Sequence, residues 1–456
     1  MKTSQKRAGE PAETFSPHAQ PFAVMTNSGE RSRKSRRSRL ALQAALARAG
    51  GFVVRFHRVI SAFAASLIAF APVHALAQTP DDSVSVRDRA RPEYDPLGAR
   101  VGAFNLNARL DLSAASTDNL YADVSSNEAD DLIYTASPWA RLSSGWSRHY
   151  LSIEGGASFD RHADYPSEDA DTHFFRGVGR LDIGRSTSIT GVAGVAHEVE
   201  RRTDPDAVTT PGPIEYDRNE ASVTVTHRLN RFRLVGEALR AEHDFDLQNF
   251  RDNEERVLRG RVEAEVTPRI GAVFQASFDE RDYDNSPALS SEGQTYLAGV
   301  SINFTDLMEG EFTVGQFERD YEGVASSEGL AVAAELEWYV TRLTTLTFNA
   351  RRNAEDVVGA TLEPYVETEV GARVDHELRR NLILSGGFQT GRREFEGSAI
   401  DREDEFFSAQ LGADYLMNRR VALRARYQHD EVDSSGANAY RDFEVNTVSV
   451  GLSLRL

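Results

Sequence analysis

The sequence predicts an all-β fold: a transmembrane antiparallel up-and-down β-barrel of about 18 strands, of the outer-membrane kind. Three observations predict it. Apolar and polar residues alternate from Val101 to Leu456, short and long connections take turns along the chain, and no segment stays apolar long enough to cross a bilayer as a helix.

The N-terminus reads as targeting sequence, outside the fold. Arg55, His57 and Arg58 precede an apolar stretch from Val59 to Ala71, and Ala75-Leu76-Ala77 supplies the small residues of a cleavage site before Gln78. That stretch is far shorter than the roughly 20 residues of a membrane helix, so it predicts a signal peptide cleaved after Ala77. Upstream, residues 1–52 are polar and basic, unlike an ordinary signal start. Initiation near Val53 or Val54 would leave a signal of normal length; a genuine N-terminal extension is the other reading. We therefore divide the chain into an extension with its signal (1–77), a periplasmic lead-in (78–100) and a barrel (101–456).

Charge and composition narrow the function. Residues 1–77 hold 12 of the 52 basic and 3 of the 70 acidic side chains, so the rest of the chain carries 40 basic against 67 acidic residues. Nucleic acid would ask for a basic stripe; this body is acidic and argues against such a partner. The 456 residues include no cysteine, which excludes disulfide frameworks, zinc-thiolate centres and cysteine nucleophiles.

Each barrel segment is justified by its alternation, the mark of a strand with two unlike faces. In the first, Phe104, Leu106, Ala108, Leu110 and Leu112 alternate with Asn105, Asn107, Arg109, Asp111 and Ser113. Leu258 to Val266, Ile270 to Phe278 and Val448 to Leu456 follow the same rule. A soluble sandwich also alternates, yet its second face need not be charged in strand after strand; a water-filled lumen explains that charge. Short turns lie near Gly145, Ser186, Asn230, Pro268, Asp306, Arg342, Arg380 and Asn418. Longer acidic loops lie between them, at Asp164 to Asp171, Arg201 to Tyr216, Asp284 to Gln294, Glu396 to Asp404 and Val432 to Asp442. Strands of about 10 residues, turns on one side and loops on the other, describe a barrel whose termini both face the periplasm.

At the loop end of the strands a small cluster repeats: Glu280-Arg281-Asp282-Tyr283 and Glu318-Arg319-Asp320-Tyr321. It reads either as aromatic anchors with carboxylates meeting cation-bridged lipids, or as an ordinary aromatic girdle beside solvated loops. Constellations for catalysis are missing from the motifs. There is no Gly-x-Ser-x-Gly elbow and no His-Glu-x-x-His, and the pairs His243-Asp244 and His429-Asp430 would point to opposite faces of a strand. No enzyme activity, cofactor or metal is expected.

The working surface is expected to be the lumen. By alternation Arg109, Arg176, Arg180, Arg259, Arg261, Glu263, Glu265, Glu335, Glu337, Glu367, Glu369, Arg373, Arg424 and Arg426 face inward. Such charges set selectivity in a pore. They would equally cross-link the wall, and a structural or adhesive barrel closed by its own Arg/Glu network is the alternative; a barrel hydrolase is a remote third.

One motif carries a resemblance. The run Pro92-Glu93-Tyr94-Asp95-Pro96-Leu97-Gly98, followed by Asp118-Asn119-Leu120-Tyr121, resembles the outer-membrane beta-barrel porins of the second type. More loosely, the resemblance extends from Gly145-Trp146-Ser147-Arg148-His149 to the C-terminus. It implies a Gram-negative outer-membrane barrel, linked in some members to exopolysaccharide export, with no catalytic residues or cofactor. The partners it implies are outer-membrane lipid and lipopolysaccharide, the barrel-assembly machinery and periplasmic polysaccharide-export proteins. The last residue departs from the general pattern, since Leu456 stands where many such barrels end in an aromatic side chain.

Overall fold

The computed structural model describes residues 84–205, 207, 212–305, 307–323, 325–355, 364–395, 401–439 and 442–456. The expected extension, export signal and cleavage site lie outside the described residues, as do the turn residue Asp306 and part of the loop after Phe395.

The described residues form a short strand and eighteen long ones. The short strand β1 (Ala99–Val101) leads into β2 (Phe104–Thr117), β3 (Asp131–Ser144), β4 (Tyr150–His162), β5 (Ala170–Ile183), β6 (Thr187–Val199) and β7 (Glu215–Leu229). Next come β8 (Phe232–Phe245), β9 (Asn253–Thr267), β10 (Ile270–Tyr283), β11 (Ser291–Thr305), β12 (Met308–Tyr321) and β13 (Ser327–Thr341). The series ends with β14 (Thr344–Glu355), β15 (Tyr365–Arg379), β16 (Leu382–Phe395), β17 (Glu403–Leu416), β18 (Val421–Ser435) and β19 (Phe443–Arg455). From β2 on, each strand pairs antiparallel with the next, and β19 closes on β2 in the register Thr447↔Thr117 to Arg455↔Arg109. Closure gives every long strand a neighbour on both sides, as a membrane-spanning sheet requires, with the β9–β10 ladder confined to Asp282↔Glu254 and Tyr283↔Asn253.

The outer face is the apolar one. Phe175, Val223, Leu258, Phe274, Phe312 and Val450 are all exposed, and Leu258, Phe274 and Val450 lie on the apolar face that alternation predicts for them. A soluble fold would bury such side chains; here they form the surface that meets lipid. Exposed aromatic rings sit toward both ends of the wall, with Tyr134 and Phe159 toward the loops and Trp146, Trp338 and Tyr415 toward the turns. This is the arrangement of interfacial girdles.

Strands run 12 to 15 residues, longer than the expected 10 or so. The extra residues belong to the loop ends. There the ladder of main-chain hydrogen bonds continues after the outward side chains have turned from apolar to charged, as with Arg240, Glu254, Arg256 and Glu280. Pairing outlasts the lipid belt, and alternation of hydropathy cannot report that.

The repeated cluster is a correction to both readings offered above. Strand parity sends Glu280 and Asp282 outward but Arg281 and Tyr283 inward, where Tyr283 is buried against Leu289 of the following loop. Likewise Arg319 points inward and is held, buried, by Asp279 and Ser291. These aromatic side chains therefore support loops from inside the mouth; they are not lipid anchors.

The seam of the barrel uses the residues that carried the resemblance. Asp118 accepts hydrogen bonds from the Asn446 main chain (2.7 Å) and side chain (2.8 Å), tying the end of β2 to β19. Asn119, buried, donates to the carbonyl oxygens of Asp123 (2.7 Å) and Glu444 (3.0 Å). At the other end Arg419 donates to the Pro92 carbonyl (2.8 Å) and Arg455 to that of Tyr94 (3.3 Å). Gly98 donates to the Leu456 carbonyl with a φ of 65°, and a Cβ there would lie 2.7 Å from the Leu106 carbonyl oxygen. Both the left-handed backbone and the close approach require glycine.

Candidate functional site

Everything opposite the apolar face forms the wall of the lumen, and the predicted residues all lie on it. Their neighbours follow from register. Arg109 pairs with Asp111 (3.1 Å) and stacks over Trp139 (4.6 Å to the ring centre). Arg176 approaches Glu154 (3.8 Å), and Arg180 pairs with Asp182 (3.2 Å). Arg259 binds Glu237 (2.8 Å), Arg261 binds Glu311 (2.7 Å) and Glu263 pairs with Arg233 (3.5 Å). Arg424 and Arg426 converge on Asp414 at 3.5 and 2.8 Å, and Arg424 also reaches Asp111 (3.3 Å). Arg373 holds Asp375 at 2.8 Å.

The four glutamates Glu335, Glu337, Glu367 and Glu369 do not make one ring. Glu367 and Glu369 lie in the loop-side half of β15, where Arg351 (3.3 and 3.7 Å) and Arg393 (2.8 Å to Glu367) compensate them. Glu335 and Glu337 lie in the turn-side half of β13, and no arginine pairs with either among the described residues. Alternation fixes which face a residue takes; it does not fix the height at which adjacent strands are in register.

Around Glu335 and Glu337 lies an acidic patch. Glu311 is the cross-strand neighbour of Glu335 and Glu309 that of Glu337. Like charges directly opposite one another destabilise a sheet unless water or a partner screens them. Arg261 screens Glu311, and the Tyr339 hydroxyl lies 2.9 Å from both Glu309 and Glu337. Glu335 is exposed to the lumen, as is Glu265, which has no side-chain partner among the described residues. Sequence reasoning missed Glu309 and Glu311. Their Glu-x-Glu spacing in Met308-Glu309-Gly310-Glu311 carried the signal.

The inner face keeps accessible surface. The side chains of Arg109 and Arg233 keep 44% and 50% of their surface accessible although both face inward. Most wall pairs join one strand to the next, as Arg141 to Glu154 (2.8 Å), Arg259 to Glu237 and Arg393 to Glu367 do. Pairs of this kind lie along the wall and leave the axis free. Beside them Arg259, Gln275, Asp279, Phe317, Arg319 and Arg351 line a recess of about 270 Å³.

The loop side is narrower because loops fold inward. Ala122 of the first loop packs on the inward Phe406, Val432, Phe443 and Val445. Tyr121 stacks edge-on with Tyr165 and lies under Arg202, which binds Glu168 (2.7 Å); Glu168 also accepts the Gly212 amide (2.9 Å). Burial, reinforced by the Glu168 carboxylate, pushes the Tyr121 hydroxyl above its ordinary pKa.

The compensated and uncompensated glutamates should respond differently to neutralisation. Glu367→Gln strands Arg393 and takes one of three carboxylates from Arg351, which keeps Glu355 and Glu369; breaking a buried pair by removing one partner costs about 3–5 kcal/mol. Arg351 is a third exposed, so the low end, about 3 kcal/mol, is expected. Glu335→Gln removes a water-facing charge from a like-charged neighbour and should cost nothing. Denaturant unfolding followed by loss of the heat-modifiable gel shift measures both; equal losses would mean that Arg393 has another carboxylate to turn to.

A closed barrel, apolar outside and charged inside, is a porin-like barrel of the outer-membrane type. The chain belongs to the family described as "Putative beta-barrel porin 2", whose model matches residues 91–456. Among solved structures it is similar to Pseudomonas aeruginosa OpdO, with 13% identity over 78% of this chain and 98% of that one and a TM-score of 0.46. OpdL of the same organism has 12% identity over 78% and 100%, with a TM-score of 0.44. OccK2 (OpdF) has 13% identity over 77% and 98%, with a TM-score of 0.46. No curated protein sequence matches the chain.

Proposed function

We propose that this barrel is an outer-membrane channel for hydrophilic solutes, with a preference for cations set in its periplasmic half. The carrying observation is the patch of Glu309, Glu311, Glu335 and Glu337, four inward carboxylates served by one arginine. Rings and patches of carboxylate favour cations by raising their local concentration. The wall-hugging ion pairs support an open lumen over a barrel closed by its own network. An exported polysaccharide is the cargo we favour. The support for it is the link of some family members to exopolysaccharide export, together with a lumen that offers forked arginine donors to hydroxyl and acidic groups.

Recording in planar bilayers tests this reading. Purified protein should give discrete conductance steps and a reversal potential on the cation side under a salt gradient. Glu335→Gln with Glu337→Gln should lower the cation preference at little cost in conductance, and acidic oligosaccharides should interrupt the current. A folded protein that never conducts would sink the proposal.

A further inference from the structure

Residues 84–91 do something the wall does not: they sit inside the turn-side mouth and are held there chiefly by ion pairs and single hydrogen bonds. Val86 is fully buried, and its amide donates to Thr345 Oγ1 (3.0 Å) on the inner face of β14. Arg87 binds Asp375 (2.7 Å), and Arg91 binds Glu377 (2.9 Å), with side chains only 4% and 5% exposed for the latter pair. Asp375 and Glu377 both point inward from the turn end of β15, the same half of the lumen as the acidic patch. The segment is also self-supporting: Arg91 donates to the Val86 carbonyl (2.6 Å) and Arg89 to that of Ser85 (3.1 Å).

We propose that this segment is a latch, a removable arginine-bearing plug that narrows the periplasmic mouth and masks two of its carboxylates. The proposal rests on the channel reading given above and names its regulation. The physical case is one of unequal attachment. Apart from the short β9–β10 contact at Glu254 and Asn253, the wall strands are held by long ladders on both sides, whereas the latch has one apolar anchor, two main-chain hydrogen bonds to the barrel (the Val86 amide to Thr345, and the Ala90 carbonyl from Arg380, 3.0 Å) and the pairs to Asp375 and Glu377. Its C-terminal neighbour is fixed independently, since Pro92, Tyr94 and Gly98 are bonded to the barrel end. Residues 84–91 can therefore leave the mouth by pivoting just ahead of Pro92 while the seam stays closed. Departure has two consequences that follow from charge and volume. The mouth widens, and Asp375 and Glu377 lose Arg87 and Arg91 and keep Arg373 and Arg380, so the surface that the permeating ion meets becomes more acidic.

The absence of cysteine allows a test within one molecule. In the full-length chain, Val86→Cys with Thr345→Cys puts a thiol on each of the two residues that the Val86 amide–Thr345 hydrogen bond joins. Oxidation should cross-link them in high yield, the oxidised channel should hold a small conductance, and reduction should restore larger steps with a stronger cation preference. A second variant, Arg87→Glu with Arg91→Glu, should behave like the reduced and released state without any reagent. Failure of the cross-link to form overturns the placement. A cross-link in high yield with identical current before and after reduction, and wild-type current in the charge variant, overturns the latch while leaving the channel standing. Silence in every state, including deletion of residues 84–91, overturns the channel and its regulation together.

Discussion

Lysine in place of both Glu335 and Glu337 is expected to turn the channel from cation preference to anion preference. Each new ammonium would stand opposite a carboxylate, Glu311 or Glu309, because the register pairs these positions directly. Two like-charged cross-strand pairs would become two opposite-charged ones, a change that favours the sheet by about 0.2–1 kcal/mol per pair. The barrel should thus fold at least as well as the wild type, and the effect should appear in permeation alone. The patch loses two negative charges, gains two positive ones, and has its other two carboxylates masked. The reversal potential under a salt gradient should change sign. An unchanged potential in a folded variant would place the permeation path away from β12 and β13.

The second large effect concerns the outer wall. Val262 and Phe274 lie on the lipid face of adjacent strands, 39% and 50% exposed, and each lies near the middle of its strand. Arginine at either site should cost about 2 to 4 kcal/mol if the site lies at the bilayer midplane. Gln275, one residue on, faces the lumen and lines the wall recess. Gln275→Arg should cost little, since that side is lined by polar and charged groups and not by lipid. Folding yield into lipid vesicles, scored by heat-modifiable migration, compares the three; a larger loss for Gln275→Arg would reverse the assignment of the two faces.

The face of each strand was legible because alternation has a period of two and lipid tolerates charge poorly, so Val262 and Arg261 announce opposite sides. The positions of the short turns were legible for the same reason, with polar, Gly- or Arg-bearing residues interrupting the pattern near Gly145 and Asn230. Heights were not legible. Glu335 and Glu367 looked alike in sequence, yet the stagger of neighbouring strands puts one in an acidic patch near the turns and the other between two arginines near the loops. Partners at long sequence separation were hidden as well: nothing local links Arg91 to Glu377, or Asp118 to Asn446. The arginines at positions 87, 89 and 91 did carry a hint. An arginine at every second position suits a segment that lays one face against an acidic wall.

The central claim is that the inward face meets water along an open path, and the cysteine-free chain makes this directly measurable. Single cysteines placed at Glu335, Gln275, Val262 and Phe274 would be exposed in turn to a charged, membrane-impermeant thiol reagent in reconstituted vesicles. The first two are expected to react, and modification at Glu335→Cys by a cationic reagent should reduce cation current; the last two should stay unmodified in lipid. Reaction at Val262→Cys and Phe274→Cys with protection at Glu335→Cys and Gln275→Cys would contradict the account.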